Sequence, residues 1–160
     1  MSEDRYMAAD VKFSVKDAVG KQLLAPVTVS DELKDKFLKK SRSSSWKLLP
    51  VSIIVSAVII LLVVLAIVFL SRFVFSLMGI IGVFFPIFAV YNIFATAKAI
   101  KNQDYEFLAG EVVGKTDNGY QIRGLEAHNI SAFIGKKEYN PGDRAIVARL
   151  GDDLNLISEE

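Results

Sequence analysis

The sequence predicts a membrane α + β protein: a two-helix transmembrane hairpin followed by a small five-stranded OB/SH3-like β-barrel. Three observations carry this expectation. Leu48 to Ala97 holds a single charge, Arg72. Within it, Val51 to Leu70 is almost wholly Val, Ile, Leu, Ala and Phe, interrupted by Ser52 and Ser56. About 18 such residues are enough to read as a membrane-spanning helix. From Tyr105 onward the texture changes to short strand-like runs separated by turn sequences.

The apolar stretch has to turn back on itself. About 50 residues of uninterrupted helix would measure about 75 Å, more than twice the hydrocarbon thickness. The expected break is at Ser71-Arg72, between a first helix from about Leu49 to Leu70 and a second from about Phe75 to Lys98. Lipid offers no hydrogen bonds to the backbone, so both spans must be helical. The second span carries Gly79, Gly82, Pro86 and Asn92 as helix-packing candidates. Glycines three apart share roughly one helix face and admit a close neighbour. Pro86 is expected to kink the helix by freeing a carbonyl.

Basic residues set the orientation. Lys34, Lys36, Lys39, Lys40, Arg42 and Lys47 precede the first span, and Lys98, Lys101 and Lys115 follow the second. Such residues stay on the cytoplasmic side, so both termini are expected there, in a two-span protein of the cell membrane. Trp46 at one end, and Tyr91 with Phe94 at the other, suit the same interface. The apolar stretch starts too far into the chain, and is too long, for a cleaved signal peptide.

Four segments follow: 1–29, cytoplasmic and of undecided order; 30–47, a surface helix and linker; 48–98, the hairpin; and 103–160, the barrel. In the first, Val11 to Val15 alternates and predicts a short strand, Lys16 to Leu24 is compatible with a turn of helix, and Pro26 ends it. Ser30 is a good N-cap, and Asp31 and Glu32 suit the positive end of a helix dipole. Leu33, Phe37 and Leu38 then form an apolar face, flanked by Lys36 and Lys40. This predicts an amphipathic helix lying on the membrane surface, with a partner-binding helix as the alternative. Ser41 to Ser45 reads as a flexible polar linker.

In the last segment five strands are expected: Tyr105 to Thr116, Tyr120 to Leu125, Ala132 to Ile134, Arg144 to Leu150 and Leu154 to Ile157. Asp117-Asn118-Gly119 and Asn140-Pro141-Gly142-Asp143 are strong turn sequences. Closing such strands into a barrel removes exposed edges. Three stretches carry a family resemblance: Gly110-Glu111-Val112, Pro141-Gly142-Asp143-Arg144-Ala145-Ile146-Val147 and Asp153-Leu154-Asn155-Leu156. With a preceding membrane segment, this third of the chain resembles the NfeD-like membrane proteins, whose C-terminal domain is OB-like. The resemblance implies a non-catalytic partner of membrane-scaffold proteins of the stomatin and flotillin type.

Composition narrows the chemistry. The formal net charge is +1, so no global field selects nucleic acid. The chain has no cysteine, which removes disulfides, thiol catalysis and cysteine–metal sites. His128 is the single histidine, and Glu126 beside it supplies at most one more metal ligand. Asp143, Asp152 and Asp153 sit in turn sequences that acidic residues commonly stabilise. No phosphate loop or nucleophile elbow occurs. Tyr120, Phe133 and Tyr139 with Arg123, Lys136 and Lys137 are the residues a nucleic-acid groove would need, but acidic residues surround them. The expectation is a non-enzymatic protein without catalytic, cofactor or metal residues, nucleic acid or small-molecule substrate. Its partners would be the bilayer and either another membrane protein or itself. Lys136, Lys137 and Tyr139 form the candidate partner loop. A homo-oligomeric channel, or an accessory subunit of a transport or export complex, is the second expectation.

Overall fold

The computed structural model describes residues 10–70 and 76–158. They form helices α1 (Val11–Gly20), α2 (Asp31–Leu70) and α3 (Ser76–Lys101). Six strands accompany them: β1 (Ala25–Pro26), β2 (Tyr105–Thr116), β3 (Gly119–Ile122), β4 (Ser131–Ile134), β5 (Arg144–Leu150) and β6 (Asp153–Ile157). Two compact units result. One comprises the described residues up to Phe37 and from Ala99 onward; the other is Leu38–Lys98. The expected turn at Ser71-Arg72 lies outside the described residues.

The first unit is an open mixed sheet in the order β1-β2-β5-β6-β4, with β3 paired to β2. The five expected strands are all present, but they do not close into a barrel. β4 leaves the meander to pair in parallel with β6. Just before β4, the backbones of Ile130 and Tyr120 of β3 exchange two hydrogen bonds of 2.9 Å in an isolated bridge. The turns behave as their residues require. Asp117-Asn118 joins β2 to β3, with Thr116 opposite Gly119. Gly142 has φ +94°, which only glycine adopts without strain, and Asp143 N–H donates to the Asn140 carbonyl across that turn.

The N-terminal segment is part of this unit. Val11 to Val15 is helical, not extended. Asp10 accepts from Lys12 N–H at 3.0 Å as the N-cap, and Val15 and Ala18 are buried on one face. Phe13 is exposed, so the alternation of Val11, Phe13 and Val15 does not mark a strand face. Beyond α1, Ala25 and Pro26 add a sixth strand against Ala109 and Leu108. Val15, Ala18 and Leu24 join Leu108, Val112, Ile122, Leu125, Ile130, Val147 and Leu156 in the core. Gly110 makes room for this packing, since a Cβ there would lie 2.6 Å from Leu24 and 2.8 Å from Ile122.

Helix α2 starts where expected. Ser30 Oγ accepts from Leu33 N–H, with Asp31 and Glu32 in the first turn. It then continues through Ser41 to Ser45 without a linker, for 40 residues, or about 60 Å. The surface-helix expectation is corrected at the same place. Phe37 is fully buried, its ring edge-on to Phe107 at 5.8 Å and to Phe133 at 6.0 Å, and Leu33 is buried as well. This face packs within the protein because a sheet aromatic is available on two strands. Leu38 is half-buried, and Lys36 and Lys40 are exposed.

Candidate functional site

α2 and α3 are each long and apolar enough to cross a membrane. Their pairing is antiparallel and rests on small and hydroxyl-bearing residues. Ser45 and Thr96 share a hydroxyl hydrogen bond of 2.8 Å. Further along, Gly82 lies against Ile59, whose Cγ2 stands 3.0 Å from where a Cβ would be. Ser45 to Ile59 and Gly82 to Thr96 each span two heptads. Both contacts therefore belong to one antiparallel register. Its midpoint falls at Ser52 and the buried Ala89.

Two prolines lie inside these helices, Pro50 in α2 and Pro86 in α3. Pro86 has no N–H and so gives nothing to the carbonyl four residues back, that of Gly82. Ser56 supplies the missing donor, with Oγ 2.7 Å from the Gly82 oxygen. Of the expected packing residues, Gly82 is thus set against the first helix of the same chain, and Pro86 determines why. Asn92 is half-buried and Gly79 falls in the first turn of α3. The sequence reading missed Ser56. Its signal is a lone hydroxyl in an apolar span, matched by a proline four residues beyond a glycine in the other span.

Outside the seam the helix pair exposes its apolar side chains, among them Ile54, Leu61, Leu62 and Val68 of α2 and Phe84 and Phe88 of α3. At the Ser45–Thr96 end the character changes. Trp46, Tyr91 and Phe94 are 57%, 66% and 70% exposed. Lys39, Arg42, Lys47 and Lys98 are exposed there too.

The β unit holds one dense charge cluster. Arg149, with a side chain only 7% exposed, binds Glu106 at 2.6 Å, Asp104 at 2.9 Å and the Gly151 carbonyl at 2.7 Å. Lys12 of α1 reaches the other oxygen of Asp104 at 2.6 Å. The Lys12 hydrogen bond, helped by Arg149, holds the Asp104 carboxyl below the ordinary range against the opposing effect of desolvation. Burial works against the Arg149 charge, but its bonds to Asp104 and Glu106 outweigh that and raise its pKa. Lys12, Glu106 and Arg149, with Val15, Lys16, Val19 and Pro26, line a cavity of about 330 Å³. These paired charges join α1 to β2 and β5, and they present no nucleophile.

The expected partner loop divides. Lys137 is exposed, whereas Tyr139 is buried, edge-on to Tyr120 at 5.4 Å. Lys136 is held by Asp143 at 2.8 Å and lies 5.2 Å from the Tyr139 ring centre. That Lys136 bond, and the Asn140 N–H, lower the Asp143 pKa. Tyr139 cannot therefore be an exposed anchor in this conformation. Its apolar ring completes the core, and Tyr120 Oη donates to the Lys137 carbonyl behind it. Phe133 packs on Phe37 and Arg123 pairs with Glu111. His128 Nε2 lies 3.1 Å from Ser14 Oγ, and Glu126 accepts from Gly124 N–H. Among the described residues no three potential metal-ligating side chains converge. Compared with protein-family models, curated proteins and solved structures, the chain matches none.

Proposed function

We propose that this chain is a membrane-anchored, non-enzymatic interaction protein, with its β unit offered to a protein partner on the cytoplasmic side. The observation that carries the reading is the distribution of polar and apolar groups on α2 and α3. Hydroxyls and glycine face the seam, where they satisfy one another and a freed carbonyl. The large aliphatic and aromatic side chains face outward, and only 11% and 6% of the most apolar stretches of α2 and α3 are buried. A helix in the core of a water-soluble protein has the opposite pattern, and an apolar surface this extensive in water would drive association. In a bilayer the same surface meets lipid, and Ser56 supplies the Gly82 carbonyl with the donor that lipid cannot.

The β unit then acts outside the hydrocarbon. Arg149, Asp104, Glu106 and Lys12 pair with one another inside the unit, which suits a stable presented surface. The partner class implied by the resemblance, a membrane-scaffold protein, is part of this proposal. A photo-crosslinker at Lys137 in intact membranes, followed by mass determination, tests it. A heterologous adduct in the carbonate-resistant membrane fraction is the expected result. A ladder of self-adducts alone would replace the adaptor with a homo-oligomeric assembly, and recovery of the chain in the soluble fraction would overturn the anchor.

A further inference from the structure

We infer that the Ser45–Thr96 end of the hairpin binds anionic phospholipid headgroups, with Lys39, Arg42, Lys47 and Lys98 as the contacting cations. The inference rests on the membrane reading of α2 and α3 and goes beyond it, from anchoring in lipid to selecting a lipid class. Its first support is charge. The helix-pair unit, Leu38–Lys98, contains no Asp or Glu at all. The nearest acidic residues in the chain are Asp35 and Asp104. Along the chain, Arg42, Lys47 and Lys98 therefore have no carboxylate within four residues, whereas Lys39 has Asp35 one turn before it.

Its second support is geometry. The hydroxyl bond between Ser45 and Thr96 fixes both helices at one level. Arg42 stands three residues before Ser45 and Lys98 two beyond Thr96, so both project on the outer side of that bond, within about 5 Å along the axis. Lys39 lies one turn further out, and Lys47 two residues inward. All four are exposed. Lys39 to Lys47 covers about 12 Å of helix axis, and long flexible side chains can draw these charges toward a headgroup layer about 5–8 Å deep. The third support is the aromatic collar. Trp46, Tyr91 and Phe94 are exposed at or just inside this level, where amphipathic rings settle at the lipid interface. Long cationic side chains next to such rings reach phosphate while their stems stay in apolar surroundings. Each cation near an anionic surface is worth about a fivefold gain in association.

Trp46 is the single tryptophan of the chain, so its fluorescence reports on this site alone. The test reconstitutes the full chain in phosphatidylcholine vesicles containing increasing fractions of acyl-brominated phosphatidylglycerol, against brominated phosphatidylcholine. The anionic quencher should act at several-fold lower fraction. Raising the salt concentration should narrow the difference. The combined variant Lys39→Gln, Arg42→Gln, Lys98→Gln should bring the two quenchers together, while Lys115→Gln in β2 should leave them apart. Equal quenching of the wild type by both lipids overturns the inference and leaves the membrane anchor standing. Quenching by neither overturns the anchor. Loss of the preference on adding inorganic phosphate, but not on adding chloride of equal ionic strength, would assign the site to a free anion and overturn the lipid assignment.

Discussion

Ser56 donates its hydroxyl to the carbonyl of Gly82, 2.7 Å away on the other helix. That carbonyl is the one Pro86 leaves without an intrahelical donor. A bend-prone proline, a glycine that admits a neighbour and a serine in an apolar span therefore form one device. Proline inside a membrane helix is tolerated where a neighbouring hydroxyl restores the missing bond.

The device predicts a coupling. Ser56→Ala should lower stability in detergent–lipid micelles by about 0.6 kcal/mol, the average for hydrogen bonds between membrane helices, and by no more than about 1.7 kcal/mol, the largest measured. Pro86→Ala returns a backbone N–H to the Gly82 carbonyl. In that background Ser56→Ala should cost clearly less. A double-mutant cycle of SDS-induced unfolding measures this, and additive losses would show that the Ser56 bond does not replace the proline's missing donor.

The seam predicts a crosslink. With no native cysteine to compete, Ser45→Cys combined with Thr96→Cys should oxidise within one chain, giving a faster-migrating species on a reducing-sensitive gel. Gly82→Leu forces a side chain into Ile59, whose Cγ2 already lies 3.0 Å from a bare Cβ. It should reduce the crosslink yield and the unfolding midpoint together. A full yield in the Gly82→Leu background would mean that the helices pair without this contact.

How far the sequence foretold these features depends on the range of the interaction. Strands β2 to β6 were legible because Asp117-Asn118-Gly119 and Asn140-Pro141-Gly142-Asp143 decide turns locally, whereas β1 depends on pairing with distant Leu108 and Ala109. Barrel closure was not, because it depends on β4 choosing β6 as a parallel neighbour. Val11 to Val15 alternates and reads as a strand, but the Asp10 cap and the burial of Val15 with Ala18 make it helical. Ser41 to Ser45 reads as a linker by propensity, yet Ser45 Oγ is held by Thr96 and the Ser41 carbonyl, and the helix persists. The Leu33 and Phe37 stripe announced an apolar contact without naming its partner, which is Phe107 and Phe133 for Phe37. Gly82 and Pro86 were recognisable as packing residues, whereas Ser56 acquires its role only from the register of the two helices.

Phe37 supplies the next prediction. Its ring is fully buried between two strands' aromatics, so Phe37→Ala should cost about 3–5 kcal/mol through lost contacts and a residual cavity. Hydrogen exchange should rise in β2 and β4, where Phe107 and Phe133 lose a neighbour. Unchanged protection there, with altered lipid partitioning instead, would restore the membrane-surface role for this face.

The Arg149 cluster makes stability depend on acid. Asp104 is held below its ordinary pKa chiefly by the Lys12 hydrogen bond, and by Arg149. A carboxyl depressed in the folded state stabilises above its unfolded pKa, about 3.9, and that contribution disappears as pH falls through the folded value. Asp104→Asn should therefore be less stable than wild type at neutral pH, with the gap constant down to about pH 5 and closing below about pH 4. Arg149→Met removes the shared partner of Asp104 and Glu106 while keeping the aliphatic stem, and should destabilise by about 1–3 kcal/mol at neutral pH. Both are read from thermal unfolding of the full chain across pH. A gap for Asp104→Asn that widened on acidification would reverse the sign and remove the Lys12–Asp104–Arg149 bonds as the cause.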